Sequence, residues 1–201
     1  MIYIVEDDAS FRKSMERLLR ASGFEVASFL SANSFLSQRS IRHPACLLLD
    51  VRLPDINGLE LQQKLTEKGC SLPIIFMTGH GTIPMGVQAM KKGAVDFLPK
   101  PFEAKQLRSA IEKALQRDGL NMKKKLQENK INALINTLTP REKEVLRWII
   151  TGKLNKQIAR GLGTSEQTIK IHRIRVFQKT KVSSVADLVR LAEKANIPPA
   201  H

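Results

Sequence analysis

Short apolar runs alternate with amphipathic stretches through about the first 115 residues of the chain. The apolar runs predict strands, at 2–5, 25–28, 46–49, 73–77 and 94–98. The stretches between them repeat apolar positions with the helical period. They predict helices near 10–22, 32–40, 59–68, 83–92 and 103–115. Five strand–helix alternations are typical of an α/β fold with a doubly wound, parallel five-stranded sheet.

The alternation stops at Asp118-Gly119. Gly119 predicts an interruption of the helix, and the polar, lysine-rich segment after it predicts a helical linker without a sustained heptad. Thr139-Pro140-Arg141-Glu142 then predicts a helix start, with an N-cap threonine, a first-turn proline and a capping-box glutamate. Four short helices follow, near 140–151, 155–162, 165–180 and 184–195. We expect three parts, which are an α/β domain at 1–118, a linker at 119–137 and a small all-α domain at 138–201.

Charge is divided unevenly between the two halves. Residues 1–120 carry 16 Lys+Arg against 13 Asp+Glu, whereas residues 121–201 carry 17 against 6. A basic C-terminal part predicts a polyanionic partner, although charge alone does not separate DNA from RNA or from an acidic protein. No apolar run reaches membrane-spanning length and no signal peptide is evident, so we expect a cytoplasmic protein without a membrane partner. Cys46 and Cys70 lack metal-type spacing and predict two buried, reduced thiols.

Acidic side chains follow the ends of two predicted strands. Glu6, Asp7 and Asp8 follow the first, and Asp50 follows the third, so we expect these acids to meet. Ligands of such sheets bind beyond the carboxyl ends of the central strands, where Thr78 and Lys100 also fall. A carboxylate nucleophile, a Mg²⁺ held by neighbouring acids, a lysine and a hydroxyl together predict phosphoryl-transfer chemistry.

The spacing of these residues resembles the receiver domain of two-component response regulators, over about residues 1–118. Three stretches carry the resemblance further. They are Asp50-Val51-Arg52-Leu53-Pro54-Asp55-Ile56-Asn57-Gly58, Met77-Thr78-Gly79-His80-Gly81 and Gly93-Ala94-Val95-Asp96-Phe97-Leu98-Pro99-Lys100-Pro101. One departure is Glu6, which stands where the family more often has an aspartate.

The resemblance implies a role for each matching residue. Asp50 would accept a phosphoryl group from a phosphohistidine of a sensor kinase, and Thr78 and Lys100 would bind its oxygens. The implied Mg²⁺ ligands are Asp7, Asp50, the backbone carbonyl of Arg52 and, through water, Glu6. Phe97 would act with Thr78 as the switch that reports phosphorylation, although periodicity alone favours a plain core aromatic. Arg52 and His80 would flank the site and tune phosphoryl lifetime, and Lys100–Pro101 would be a cis peptide.

A helix, a glycine-bearing turn and a second capped helix occupy 155–173, which is a helix-turn-helix layout. Ile169, His172 and Val176 form a stripe suited to the core, which makes His172 a packed histidine rather than a ligand. Lys170 and Arg173 are expected on the opposite face, where a recognition helix meets base edges. The full set of candidate DNA-binding residues is Lys156, Gln157, Thr168, Lys170, Ile171, Arg173, Arg175 and Lys179.

The segment from Leu138 to Val189 resembles the effector domain of the NarL/FixJ (LuxR-type) regulators, and the whole chain is most similar to their FixJ branch. Two departures concern the end of the second helix. Thr180 stands where the family usually has a core leucine, and Lys181 where a glycine usually ends the helix. A left-handed cap is less favourable for lysine than for glycine, so these residues bear on stability more than on DNA binding.

These patterns predict a transcriptional regulator that is phosphorylated at Asp50, dimerises and binds promoter DNA. The expected partners are a sensor histidine kinase, double-stranded DNA, RNA polymerase and a second copy of the chain. An aspartyl-nucleophile phosphatase is the first alternative, but Arg52 occupies the position of its general acid, so only self-catalysed phosphoryl uptake and slow loss are expected. An output domain that binds RNA or another protein is the second, and against RNA its aromatics number only Trp148 and Phe177.

Overall fold

Five parallel strands form one sheet in a computed structural model that describes residues 1–79 and 83–200. The strands are β1 (Ile2–Val5), β2 (Val26–Phe29), β3 (Cys46–Asp50), β4 (Ile74–Thr78) and β5 (Asp96–Pro99). Their order is β2-β1-β3-β4-β5, and every pairing is parallel. β1, β3 and β4 are buried along their whole length, as expected for a sheet covered on both faces. The predicted doubly wound α/β fold is confirmed.

Helices cover the two faces of this sheet. They are α1 (Ala9–Ala21), α2 (Ala32–Leu36), α3 (Gly58–Glu67), α4 (Ile83–Lys91) and the first part of α5 (Ala104–Asn136). Side chains along each strand alternate between two cores, because successive residues of a strand point to opposite faces. Leu47 and Leu49 lie in the core that α3 covers, and Leu48 lies in the core that α1 and α5 cover.

The strand register places the candidate residues at one edge of the sheet. Val5 is opposite Leu49, so Glu6 and Asp7 extend beyond β1 beside the end of β3. Asp50 is opposite Met77, and Thr78 is opposite Pro99. Lys100 follows directly and donates its backbone N–H to the Thr78 carbonyl at 2.8 Å.

The helix α5 is 33 residues long and continues through Gly119. The predicted interruption at this glycine is therefore wrong. One glycine inside a helix costs only about 1 kcal/mol relative to alanine, and residues on both sides favour the helix. The chain divides into two compact units after Lys123, within this helix. Among the helices of the described residues, none combines the length and apolar character needed to cross a bilayer.

Four further helices build the second unit, α6 (Pro140–Ile149), α7 (Asn155–Gly161), α8 (Glu166–Thr180) and α9 (Val185–Lys194). Their buried side chains form one core with the last turns of α5. The capping box at the start of α6 is present as predicted, because Thr139 accepts from the Glu142 backbone and the Glu142 side chain accepts from the Thr139 backbone. The predicted four-helix architecture is confirmed.

The two cysteines are both free and differ in burial. Cys46 is fully buried in β3, and burial raises the pKa of its thiol to about 12. Cys70 is only half-buried in the loop before β4, so the predicted burial of both thiols holds for Cys46 alone. The reason is that residue 70 follows the end of α3 instead of lying within a strand.

Candidate functional site

Three carboxylates meet at the carboxyl edge of the sheet. Glu6, Asp7 and Asp50 each offer an oxygen, and these oxygens lie within 4.8 Å of one another. Glu6 is 1% exposed and Asp50 is 7% exposed, whereas Asp7 is open to solvent. Burial of several like charges is unfavourable unless a cation compensates them.

Lys100 supplies part of that compensation. Its Nζ lies 2.6 Å from Glu6 Oε2 and 2.7 Å from Asp50 Oδ2. The same ammonium lies over the ring of Phe11, 4.1 Å from its centroid. One lysine from the end of β5 thus bridges an acid of β1 and an acid of β3.

Burial and charge shift two pKa values in this cluster. Burial, together with the negative charge of Asp50, raises the pKa of Glu6 to about 7 in spite of the hydrogen bond from Lys100. Burial alone would lower the pKa of Lys100, but its hydrogen bonds to Asp50 and Glu6, together with their negative charges, outweigh burial and raise the pKa. The raised pKa of Glu6 means that its ionised form is destabilised in this cluster. A further cation near the carboxylates would offset that destabilisation.

The donor set fits Mg²⁺, which prefers one or two carboxylates together with water and phosphate oxygens. The Arg52 backbone N–H donates to Asp50 Oδ1 at 3.0 Å, which places residue 52 beside the carboxylate. The contribution of its carbonyl to metal binding stays a prediction. His80, expected to flank the site, lies outside the described residues.

Three contacts that sequence reasoning missed shape the site. The guanidinium of Arg12 donates to the carbonyls of Glu6 and Asp7, at 2.7 and 3.2 Å, and so fixes the backbone of the acidic pair. A Cβ at Gly58 would lie 2.3 Å from the Asp50 carbonyl oxygen, so this position requires glycine. The third is the contact between the Phe11 ring and the Lys100 ammonium. Arg12 and Phe11 lie in the first turn of α1, where the N-cap Asp8 was the available signal.

Thr78 and Phe97 lie on the neighbouring strands β4 and β5. Thr78 is 2% exposed at the end of β4. Phe97 is half-buried, with its ring centroid 6.2 Å from that of Phe76. A Cβ at Gly86 of α4 would lie 3.5 Å from the Phe97 ring, so the ring packs closely against that helix. The expected cis peptide between Lys100 and Pro101 is present.

The second unit presents one strongly exposed face of α8. Side chains open to solvent on this helix include polar, cationic and apolar types. They are Glu166, Gln167, Lys170, Ile171, Ile174, Arg175 and Gln178. Ile171 is 43% exposed and Ile174 is 51% exposed, and the sequence did not indicate Ile174. Its position four residues after Lys170 was the missed signal, because residues four apart share a helix face.

Other residues predicted to bind DNA have partners inside the unit. Arg173 is half-buried, with its guanidinium 5.7 Å from the Phe177 ring centroid, so it lies at the edge of the exposed face and not opposite the core. The physical reason is that Arg173 follows the buried Ile169 by four residues. The hydroxyls of Thr168 and Ser165 form a hydrogen bond, and the Gln157 side chain accepts from the Leu154 backbone. The last two contacts support helix starts.

Lys179 has a structural partner that the sequence did not indicate. Its Nζ lies 2.6 Å from Glu142 Oε2, and Glu142 is 2% exposed. Burial alone would raise the pKa of Glu142, but the hydrogen bond and charge of Lys179, together with the hydrogen bonds from Thr139, outweigh burial, so the pKa lies below its usual value. Lys156 is exposed, and His172 is half-buried as a packed residue.

The two departures at the end of α8 fit their surroundings differently. Thr180 is 1% exposed and satisfies its hydroxyl by donating to the Val176 carbonyl at 2.6 Å. Lys181 adopts the left-handed conformation, with φ of 56°. A lysine therefore occupies a backbone geometry that favours glycine.

Comparison with known proteins extends these observations to the whole chain. A family model described as "Response regulator receiver domain" matches residues 2–112, and one described as "Bacterial regulatory proteins, luxR family" matches residues 136–192. Transcriptional regulatory protein FixJ of Bradyrhizobium diazoefficiens is 40% identical over 196 residues, which cover 98% of this chain and 96% of that protein.

Two further relatives agree. Nodulation protein W of Bradyrhizobium diazoefficiens is 43% identical over 201 residues, which cover 100% of this chain and 88% of that protein. A solved structure of the response regulator StyR is 46% identical, has a TM-score of 0.84, and is matched over 96% of this chain and 98% of that one. The predicted resemblance to the NarL/FixJ regulators is confirmed. The chain belongs to the two-component response regulators that join a receiver domain to a LuxR-type DNA-binding domain.

Proposed function

We propose that phosphorylation of Asp50 by a sensor histidine kinase controls promoter binding by this chain. The observation that carries the proposal is the Lys100 bridge between Glu6 and Asp50, because it assembles a buried nucleophile and a phosphate-binding cation at one sheet edge. Membership of the family supports transcription regulation in the cytoplasm, with the receiver as a control domain and not a classical enzyme.

The chemistry uses the residues at this edge in turn. A carboxylate oxygen of Asp50 attacks the phosphorus of the donor phosphohistidine, and the P–N bond breaks with its electron pair left on the imidazole nitrogen. Lys100 exchanges an Asp50 oxygen for a phosphoryl oxygen, and the Thr78 hydroxyl donates to another. When held by Asp7, Asp50, the Arg52 carbonyl and, through water, Glu6, Mg²⁺ would offset the charge that develops on the phosphoryl oxygens.

The switch would be read out through Thr78 and Phe97. Movement of Thr78 toward the phosphoryl group leaves space on the β5 side, into which the half-buried Phe97 ring can turn. The close packing of that ring on Gly86 means that such a turn changes the surface of α4 and β5. Two copies would then pair through their receivers. The change in charge at Asp50 would shift the equilibrium toward this paired state.

DNA would be bound by the exposed face of α8. We propose that Lys170, Ile171 and Ile174 contact base edges, because a lysine can donate to guanine and an apolar side chain can contact a thymine methyl group. The residues proposed to contact phosphates are Lys156, Gln157, Thr168, Arg173 and Arg175. Lys179 is kept in this set only as a secondary contact, because its ammonium pairs with Glu142. RNA polymerase is a proposed partner at the promoter.

The alternatives have less support. A phosphatase would need a general acid where Arg52 stands. An RNA-binding surface would need exposed aromatic rings for stacking. Trp148 is half-buried against Lys153 and Gly161, and Phe177 is half-buried beneath Arg173.

The test compares the wild-type chain with Asp50→Asn in phosphoryl uptake and DNA binding. Both are incubated with Mg²⁺ and acetyl phosphate, and the phosphorylated fraction is measured by intact mass spectrometry. Binding to duplex DNA with paired half-sites is measured by fluorescence anisotropy. We expect the wild type to gain one phosphoryl group and at least about tenfold in affinity, and Asp50→Asn to gain neither.

Asp55→Asn is the matched control. Asp55 lies in the same loop, where its two carboxylate oxygens accept from the backbone of Ala32 and Asn33. Asparagine keeps one of these two acceptor oxygens, and residue 55 is not part of the acidic cluster of Glu6, Asp7 and Asp50. This variant should behave like the wild type. Phosphorylation of Asp50→Asn to the wild-type level, or equal DNA affinity with and without donor in the wild type, would contradict the proposal.

A further inference from the structure

Lys100 has three contact partners, and only two of them are carboxylates. The third is the face of the Phe11 ring, 4.1 Å from Nζ to the centroid. A cation over an aromatic face at this distance is attracted by the negative face of the ring. The ammonium is therefore placed by an aromatic ring as well as by ion pairs.

The ring is itself fixed in position. Phe11 lies in the first turn of α1, where its backbone N–H donates to the N-cap Asp8 at 3.0 Å. Its ring packs edge-on against Phe102, with centroids 6.1 Å apart and planes at 85°. Both rings pack against the core shared by α1 and α5. Phe11 is therefore anchored by backbone and side-chain contacts other than its contact with the lysine.

The proposed reaction requires Lys100 to change partners. Its Nζ pairs with Asp50 Oδ2 at 2.7 Å, and this oxygen belongs to the nucleophile. A lysine that leaves a carboxylate is a flexible chain and can lose its place. Contact with a ring face is less directional than a hydrogen bond and tolerates small displacements, so it can persist while hydrogen bonds are exchanged.

We propose that Phe11 is a positioning residue for phosphoryl transfer, which keeps the Lys100 ammonium in the site while it moves from Asp50 to the incoming phosphoryl group. This inference rests on the proposed function of Asp50. If the inference is right, the rate of phosphoryl transfer should depend on the electron density of the Phe11 ring face and not only on the volume of the ring.

The test varies that electron density in the full-length chain. Phenylalanine at position 11 is replaced in separate proteins by its 4-fluoro, 3,5-difluoro and 3,4,5-trifluoro analogues, which keep the shape and progressively weaken the negative face. The rate of phosphorylation by acetyl phosphate with Mg²⁺ is measured over a range of donor concentrations. We expect the maximal rate to fall stepwise, by about three- to tenfold across the series.

Two controls separate positioning from packing. The same analogues at Phe35, which packs among the rings of Tyr3 and Phe29, should leave the rate unchanged. Phe11→Leu should lower the maximal rate, and Phe11→Tyr, which keeps an aromatic face, should largely restore it. Circular dichroism and thermal unfolding of each variant report whether the fold is intact.

The outcomes separate this inference from the function it rests on. A rate that is constant across the fluorinated series, in a wild type that is phosphorylated at Asp50, overturns the role of Phe11 alone. A fall of equal size at Phe35 overturns it as well. Failure of the wild type to take up a phosphoryl group beyond the level of Asp50→Asn instead overturns the proposed function.

Discussion

Glu6 and Glu142 are both almost fully buried, and each is paired with one lysine at 2.6 Å. Their pKa values nevertheless shift in opposite directions. Glu6 shares Lys100 with Asp50, so burial and a second negative charge prevail and its pKa rises. Glu142 is the sole carboxylate partner recorded for Lys179 among the described residues, and its pKa falls. The first arrangement suits a site that needs another cation, and the second suits a structural contact.

Replacing Lys179 by methionine should therefore destabilise the second unit, because it leaves the buried Glu142 charge without its partner. We expect the free energy of unfolding at pH 7 to fall by about 2 kcal/mol. A carboxyl group whose pKa is lowered by folding contributes stability above its unfolded pKa, which is 4.5 for Glu142, and loses it as pH falls through the lower folded value. The difference between wild type and variant should thus shrink below pH 4.5. Urea unfolding followed by Trp148 fluorescence measures both effects.

Lys156→Met is the matched substitution at an exposed lysine at the start of α7. It should leave the free energy of unfolding within about 0.5 kcal/mol of wild type and weaken DNA binding. The opposite pattern, with Lys156→Met destabilising and Lys179→Met affecting only DNA affinity, would contradict the structural assignment of Lys179.

At the level of elements, two neighbouring residues at the end of α8 differ in how well they fit. Thr180 is buried with its hydroxyl satisfied, whereas Lys181 has a left-handed backbone conformation that is unfavourable for lysine. Lys181→Gly should raise the free energy of unfolding of the second unit by about 0.5–1 kcal/mol, because glycine adopts the left-handed conformation without steric penalty. Lys181→Ala removes the same side chain but keeps Cβ, so it should give no such gain. Thermal unfolding of both variants in parallel tests this, and equal midpoints for the two would contradict it.

Hydrophobic periodicity predicted where the helices and strands lie along the chain. It predicted less well where each element ends and which face of a helix is exposed. The strand ending in Asp50 and the helix beginning after Ser165 were predictable because burial and capping act locally. Continuation of α5 through Gly119 was not, because one unfavourable residue is outweighed by its neighbours. The ring of Phe11 beneath Lys100 was not predictable either, since 89 positions of sequence separate the two residues and only the fold brings them together. Convergence of Glu6, Asp50 and Lys100 was predictable, because parallel strands end at a common edge.

For the molecule as a whole, the division of charge assigns the two units different physical tasks. Residues 1–120 carry 16 Lys+Arg against 13 Asp+Glu, so the receiver adds little to the attraction for a polyanion. Residues 121–201 carry 17 against 6, so this part would supply the affinity for DNA phosphates in the proposed function. A phosphoryl group on Asp50 should then act by bringing two DNA-binding units together and not by changing the phosphate contacts of each one.

Salt dependence distinguishes the pairing of two DNA-binding units from a change in the phosphate contacts of each unit. The slope of the logarithm of the DNA-binding constant against the logarithm of the salt concentration is proportional to the number of phosphates neutralised. On duplex DNA with a single half-site, we expect the slope to be the same with and without acetyl phosphate, at constant Mg²⁺. On DNA with two half-sites one helical turn apart, the slope should about double when the protein is phosphorylated. Asp50→Asn should keep the single-site slope on both DNAs. A slope that steepens on the single half-site after phosphorylation would mean that the modification exposes new phosphate contacts within one copy, and pairing would then not be the basis of control.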